Sequence, residues 1–179
     1  AGNWTTGWSF GINGEASCPA GTTPQGTTQC IMSGVYNEDI RLVGPFDYIL
    51  NGRVDVGTDS GPDPDAPLAT ANPAIMTIDP GVKVLGQNTT SYLVVTRGSQ
   101  LRSNGTQSAP VIFSSVNDST ANLDTDTSLW GGLVINGRAI LNTCNQVNPP
   151  CEASGEGDSG LYGGTSNTDN SGSLIYTVV

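Results

Sequence analysis

The sequence predicts an all-β protein wound as a parallel β-helix, and three observations predict it. First, an apolar triplet, a tight Gly-containing turn and further apolar residues recur four times. The four are YIL-NGR-VDV at 48–56, MTI-DPG-VKV at 76–84, LVV-TRGSQ-L at 93–101 and LVI-NGR-AIL at 133–141. Second, Leu93 follows Met76 by 17 positions, and Val111-Ile112-Phe113 stands about as far behind Leu93. A period of about 17–20 residues suits the coils of a β-solenoid. Third, LVV, VIF and LVI are continuous apolar runs, the pattern of parallel strands rather than of alternating half-exposed ones. Asn-Gly between apolar runs is also the strongest short hairpin signal, so Asn51-Gly52 and Asn136-Gly137 keep an antiparallel β-sandwich as the alternative.

The elements follow in order. Residues 1–30 are rich in Gly, Thr and Pro, with Trp4, Trp8 and Phe10 at even intervals. They read as an N-terminal segment, a cap or an exchange strand, ahead of a β-helix domain at 31–179. Ile40 and Leu42, then YIL and VDV, read as the first strands. Residues 57–74 form an insertion loaded with Pro and Asp, which supports neither helix nor central strand. Residues 75–116 are the densest β region, 117–128 a polar loop, 142–151 a cysteine-tied loop and 152–172 a Gly-rich acidic loop. The last segment, SLIYTVV, has no polar cap behind it. Repeat folds need one, so this edge predicts either further coils or a neighbouring subunit. Leu174, Tyr176 and Val178 at one end, and Trp4, Trp8 and Phe10 at the other, suit strand addition between copies. Such a head-to-tail contact does not close and generates a filament.

Composition limits the function. The net charge is −10, with Lys83 the single lysine and five scattered arginines, which excludes a nucleic-acid footprint. No apolar run reaches the length of a transmembrane span. The absence of histidine excludes Ser-His-Asp and Cys-His catalysis and His-ligated metals. What remains for catalysis is a carboxylate pair or a Lys/Arg base, and an enzyme is the less favoured reading. Cys18/Cys30 and Cys144/Cys151 are two local pairs with neither CxxC spacing nor a histidine to complete a zinc site. Two loop-closing disulfides, and hence an oxidising, extracellular location, follow from that spacing.

IDPGVKVLG, SYLVVTRGSQLRSNGT, APVIFSS, WGGLVINGRA, EGDSGLYGG and DNSG, in that order, resemble a family of uncharacterised secreted or surface-anchored bacterial proteins. The resemblance runs from about Cys30 to the end. It implies a right-handed parallel β-helix and an extracellular or outer-membrane location, and it implies no established activity.

Four groups of residues are candidates for chemistry. Asp55, Asp59, Asp63 and Asp65 fall close together among Gly and Pro, and hard oxygen ligands on a turn-rich loop suit Ca²⁺, the only cofactor suggested. A solvated acidic loop is the simpler reading of the same residues. Glu152, Glu156, Asp158 and Asp169 form a second acidic group; within it GEGDSG matches GxGxxG only formally, since acidic residues at its variable positions repel a pyrophosphate. Asp118, Asp124 and Asp126 form a third, a carboxylate set that would serve glycoside hydrolysis only if two faced each other. Trp4, Trp8, Trp130, Tyr92 and Tyr162 are aromatic platforms for sugar rings or core and cap residues. Two functions follow: a self-assembling structural or adhesive surface protein, or a carbohydrate-binding or carbohydrate-active β-helix.

Overall fold

The computed structural model describes residues 17–122, 124–143 and 151–179. Its strands in order are β1 (Thr23–Gln25), β2 (Gln29–Tyr36), β3 (Ile40–Leu42), β4 (Asp47–Val56), β5 (Ile75–Ile78), β6 (Lys83–Gly86) and β7 (Tyr92–Val95). There follow β8 (Gln100–Asn104), β9 (Val111–Ser115), β10 (Gly132–Ile135), β11 (Ala153–Ser154), β12 (Leu161–Tyr162), β13 (Gly172–Ile175) and β14 (Thr177–Val178). Every pairing between coils is parallel, and the coil has three faces. The first face stacks the leading halves of β2 and β4 with β6, β9 and β14. The second stacks their trailing halves with β7 and β10. The third stacks β3, β5, β8 and β13. This is a parallel β-helix, and the Asn51-Gly52 turn is a bend within β4 rather than a hairpin. Gly52 takes φ +74° there, a conformation that costs glycine nothing.

The core is made of rows in which one residue from each coil lies on the next. Cys30, Tyr48, Val84 and Phe113 form one row on the first face, all essentially inaccessible to solvent. Val54, Leu93 and Leu133 form a row on the second face, and Ile40, Met76 and Leu101 one on the third. Met32, Leu50, Gly86 and Ser115 form a further first-face row with a gap at the glycine. Trp130 occupies that gap: a Cβ on Gly86 would lie 2.5 Å from the Trp130 Cβ. The tryptophan is thus a core-packing residue.

The four recurring phrases do not mark equivalent positions on successive coils. The phrase at 48–56 crosses from the first face to the second, 76–84 from the third to the first, and 93–101 from the second to the third. Met76 stacks on Leu101, while Leu93 stacks on Val54 and Leu133. The physical reason is that a three-sided coil contains three corners, and each needs the same short Gly-containing turn between apolar strands. Local sequence therefore repeats per corner. The interval of 17 positions from Met76 to Leu93 is part of a coil rather than a whole one.

At the N-terminal end β1 pairs antiparallel with β2, covering an edge that would otherwise expose unpaired backbone. Cys18 and Cys30 form a disulfide with a Cα–Cα distance of 5.7 Å, fastening this segment to the first core row. Cys151 is also disulfide-bonded; Cys144 lies outside the described residues, as do Trp4, Trp8 and Phe10. Replacing Cys18 and Cys30 together by alanine is expected to cost about 3 kcal/mol, measured by urea unfolding against the parent protein. Disulfides of this type persist in oxidising compartments. No helix among the described residues is long and apolar enough to cross a membrane.

Candidate functional site

Long excursions leave the coil where the second face turns to the third. One is the insertion 57–74 after β4, another follows β10 and is described over 136–143 and 151–171, and between them lies the short corner 96–99 after β7. Parallel stacking of β4, β7 and β10 places these three departures one above another, so the excursions must pack on the same side. Their backbones join directly: Ser60 N–H donates to Arg97 O at 3.0 Å and Thr165 N–H to Pro62 O at 3.1 Å, while Ser166 N–H donates to Arg138 O at 3.0 Å within the last excursion. Glycine permits the closeness, since a Cβ on Gly164 would lie 2.2 Å from Pro62 O. At Gly98, where φ is +87°, a Cβ would lie 2.7 Å from both Arg138 Nη2 and Ser60 Oγ.

Arginines hold the excursions together. Arg97 is only 1% exposed. It donates from Nε and Nη2 to the Asp59 carboxylate at 2.8 and 2.6 Å, and from Nη1 to Glu152 Oε1 at 2.7 Å and Gly163 O at 2.9 Å. Burial alone would lower its pKa, but the two carboxylates overcome this and hold it above the ordinary arginine value. Burial likewise raises the Asp59 carboxyl, yet hydrogen bonds from Arg97 and the Gly61 N–H and the charges of Arg97 and Arg138 outweigh it. The result lies below the ordinary carboxylate value. That direction suits a permanent anion and opposes a general acid. Arg138 donates from Nε to Gly61 O at 2.8 Å and lies 3.7 Å from Asp169.

The excursion at 151–163 then crosses the outer side of the second face. β11 and β12 pair antiparallel as a hairpin, closed beyond the pair by Gly155 N–H donating to Gly160 O at 2.8 Å. Its tip turns through Gly157 at φ +62° and Asp158 at φ +60°. GEGDSG is therefore a hairpin tip, with no helix of the dinucleotide-binding type after it. Three side chains beneath hold three successive carbonyls of the tip. Tyr92 Oη donates to Gly157 O at 3.1 Å, Arg53 Nη1 donates to Asp158 O, and Asn136 Nδ2 donates to Ser159 O at 2.8 Å. These donors come from successive coils: Arg53 on β4, Tyr92 on β7 and Asn136 directly after β10. Val94 lies in the outer row between Asp55 and Val134 and is fully buried, which an outward residue becomes only under a cover.

Clefts open on either side of the tip. One of about 520 Å³ is lined by Arg53, Thr89, Thr90, Tyr92, Val134 and Glu156 among others. A second of about 320 Å³ includes Arg53, Asp55, Asp59, Asn136 and Leu161. A third, of about 430 Å³, is more apolar and includes Val134, Ile135, Leu141 and Tyr162. Ser159 lines all three, and Arg53 lines the first two.

The acidic insertion is arranged differently from a ligand cage. Asp55 accepts from Arg53 Nε with both carboxylate oxygens at 2.9 Å, and Asp59 is held by Arg97. Asp63 accepts from the Asp65 backbone N–H at 3.0 Å, within the exposed loop. Among the described residues no three His, Cys, Asp or Glu side chains gather as a metal-binding group. Asp126 accepts from Asn122 N–H at 2.9 Å, a turn contact. At the far end of the helix Leu174, Tyr176 and Val178 are exposed.

The functional signal that sequence reasoning missed is the arginine set. Arg53, Arg97 and Arg138 look scattered along the chain, yet each sits in one of the recurring phrases, in NGR at 51–53, TRG at 96–98 and NGR at 136–138. The first follows a bend between faces and the other two open the stacked corners; parallel stacking brings all three to one side.

A family model described as a pectate-lyase-like β-helix domain matches residues 63–179. No curated protein and no solved structure matches the chain.

Proposed function

The chain belongs to the family of pectate-lyase-like β-helix domains, and from that premise we propose that it is an extracellular polysaccharide-binding protein. The observation that carries the reading is the cleft of about 520 Å³ on the outer second face. It sets Tyr92 beside Arg53, Thr89 and Thr90. An aromatic wall with a few convergent polar groups is the composition of a saccharide subsite, where a ring packs on the apolar body and hydroxyls meet the polar atoms. Binding rather than cleavage is supported by the state of the acids. Asp55 and Asp59 are both engaged by arginine, and Asp59 is shifted away from proton donation. With a chain charge of −10, neutral polysaccharides are the favoured class. A panel of immobilised polysaccharides tests the reading: retention of the protein on at least one member is expected. Tyr92→Ala is expected to weaken that retention about tenfold, the loss of one stacking and hydrogen-bonding contact. Full retention by Tyr92→Ala would move the site elsewhere.

A structural or adhesive role with end-to-end assembly is a second reading, favoured by the exposure of Leu174 (48%), Tyr176 (59%) and Val178 (53%). Sedimentation at rising concentration tests it. Reversible growth in mass supports assembly, and a single monomeric species throughout counts against it.

A further inference from the structure

We propose that the hairpin tip at 156–159 is a built-in lid that occupies part of the saccharide groove, its main-chain carbonyls standing where sugar oxygens bind. The inference rests on the polysaccharide reading above and deepens it. Three facts carry it. The donors Tyr92 Oη, Arg53 Nη1 and Asn136 Nδ2 stand on successive coils, and all three are spent on three consecutive carbonyls of one short turn. Two clefts at that turn share Arg53 and Ser159 as walls, so the tip borders both. Glu156, Gly157 and Asp158 are exposed, so the tip's outer side is not packed under any other element.

The Arg53 guanidinium is already paired with Asp55, so with the Tyr92 phenol and the Asn136 amide it makes a donor set suited to neutral oxygen acceptors. A carbonyl oxygen and a sugar hydroxyl oxygen are interchangeable as acceptors for it. Lifting the tip exposes Arg53 and Tyr92, register neighbours on strands about 4.8 Å apart, and Asn136, four residues beyond their register partner Gly132. A saccharide lying obliquely over the second face would reach the Arg53–Tyr92 pair on one side and Asn136 on the other. The covered state lowers the apparent affinity, because only the open fraction binds: a tip open one-tenth of the time weakens binding about tenfold. Arg53 and Asn136 are on this account specificity-determining residues that exchange a tip carbonyl for a ligand oxygen. Arg97 is the positioning residue that fixes the base of the hairpin through Glu152 and Gly163.

The test uses the retained polysaccharide, cut to soluble oligosaccharides, with two measurements. In one, residues 155–160 are replaced by Asn-Gly, a two-residue turn suited to joining the paired Ser154 and Leu161. In the other, the carbonyl ¹³C shifts of Gly157, Asp158 and Ser159 are followed in the unaltered protein as oligosaccharide is added. The expected results are about tenfold tighter binding by the shortened hairpin and joint movement of all three carbonyl shifts on saturation. Binding by the shortened form alone would also support the lid, as a tip closed nearly all the time. Weaker binding by the shortened form, or saturation with the three carbonyl shifts unmoved, would overturn the lid and leave polysaccharide binding standing. No binding by either form to any panel member would overturn both.

Discussion

Replacing Arg97 by methionine is expected to destabilise the protein by about 3 kcal/mol. The substitution keeps an unbranched apolar stem and removes the five donors. Asp59 and Glu152 would then lose their shared cation while remaining against the protein, and Gly163 O would lose its donor. Breaking a fully buried pair costs about 3–5 kcal/mol. The lower end applies here because the two carboxylates keep 30% and 32% exposure and can recover some hydration. The effect carries a pH signature. The Asp59 carboxyl is held below its unfolded value, so the stability it contributes is present above about pH 4 and is lost as pH falls through the lower folded value. The difference between parent and Arg97→Met is therefore expected to be full at neutral pH and to shrink in acid. Urea unfolding at a series of pH values measures it, and a difference that stayed constant into acid would show that Arg97 acts through packing alone.

Phe113→Ala is expected to cost about 4 kcal/mol. Phe113 closes the row of Cys30, Tyr48 and Val84, with 1% of its surface exposed. A β-helix has no second layer that can slide into a gap, because each coil is pinned to its neighbours by backbone ladders on three faces. The site therefore relaxes little and the cavity term is nearly full. Phe113→Leu, which leaves most of the volume, is expected to lose less than half as much, and thermal unfolding of the pair gives the comparison. Equal losses for both variants would mean that ring geometry, not volume, sets the cost.

The fold was legible where the physics is local. Continuous apolar runs flanked by Gly and Asn identify strands buried in a stacked coil, and β4, β7 and β9 fall on YIL-NGR-VDV, LVV and VIF. The coil period was not legible, because Met76, Leu93 and Val111 carry similar phrases for corners that lie on three different faces. The site was less legible still. Arg53, Arg97 and Arg138 are far apart in sequence, and what brings them together is the stacking of β4, β7 and β10, a non-local register. Asp55 and Asp59, attractive as oxygen ligands in a Pro- and Asp-rich loop, are partners of those arginines. A carboxylate's role depends on whether a cation faces it, and only the folded register supplies that. The hairpin at 153–162 was readable only as part of a Gly-rich acidic loop; that it lies across Tyr92, Arg53 and Asn136 was not legible.

Polysaccharide bound on the outer second face would leave a localised footprint there. The most direct measurement is an amide shift map of the isotope-labelled protein during titration with the retained oligosaccharide. The prediction is that shifts concentrate at Gly52, Thr89, Thr90, Tyr92, Gly131 and Gly157, the lining of the cleft of about 520 Å³. Shifts confined instead to Leu174, Ile175 and Tyr176, or to Arg41 and Arg102 on the third face, would contradict it.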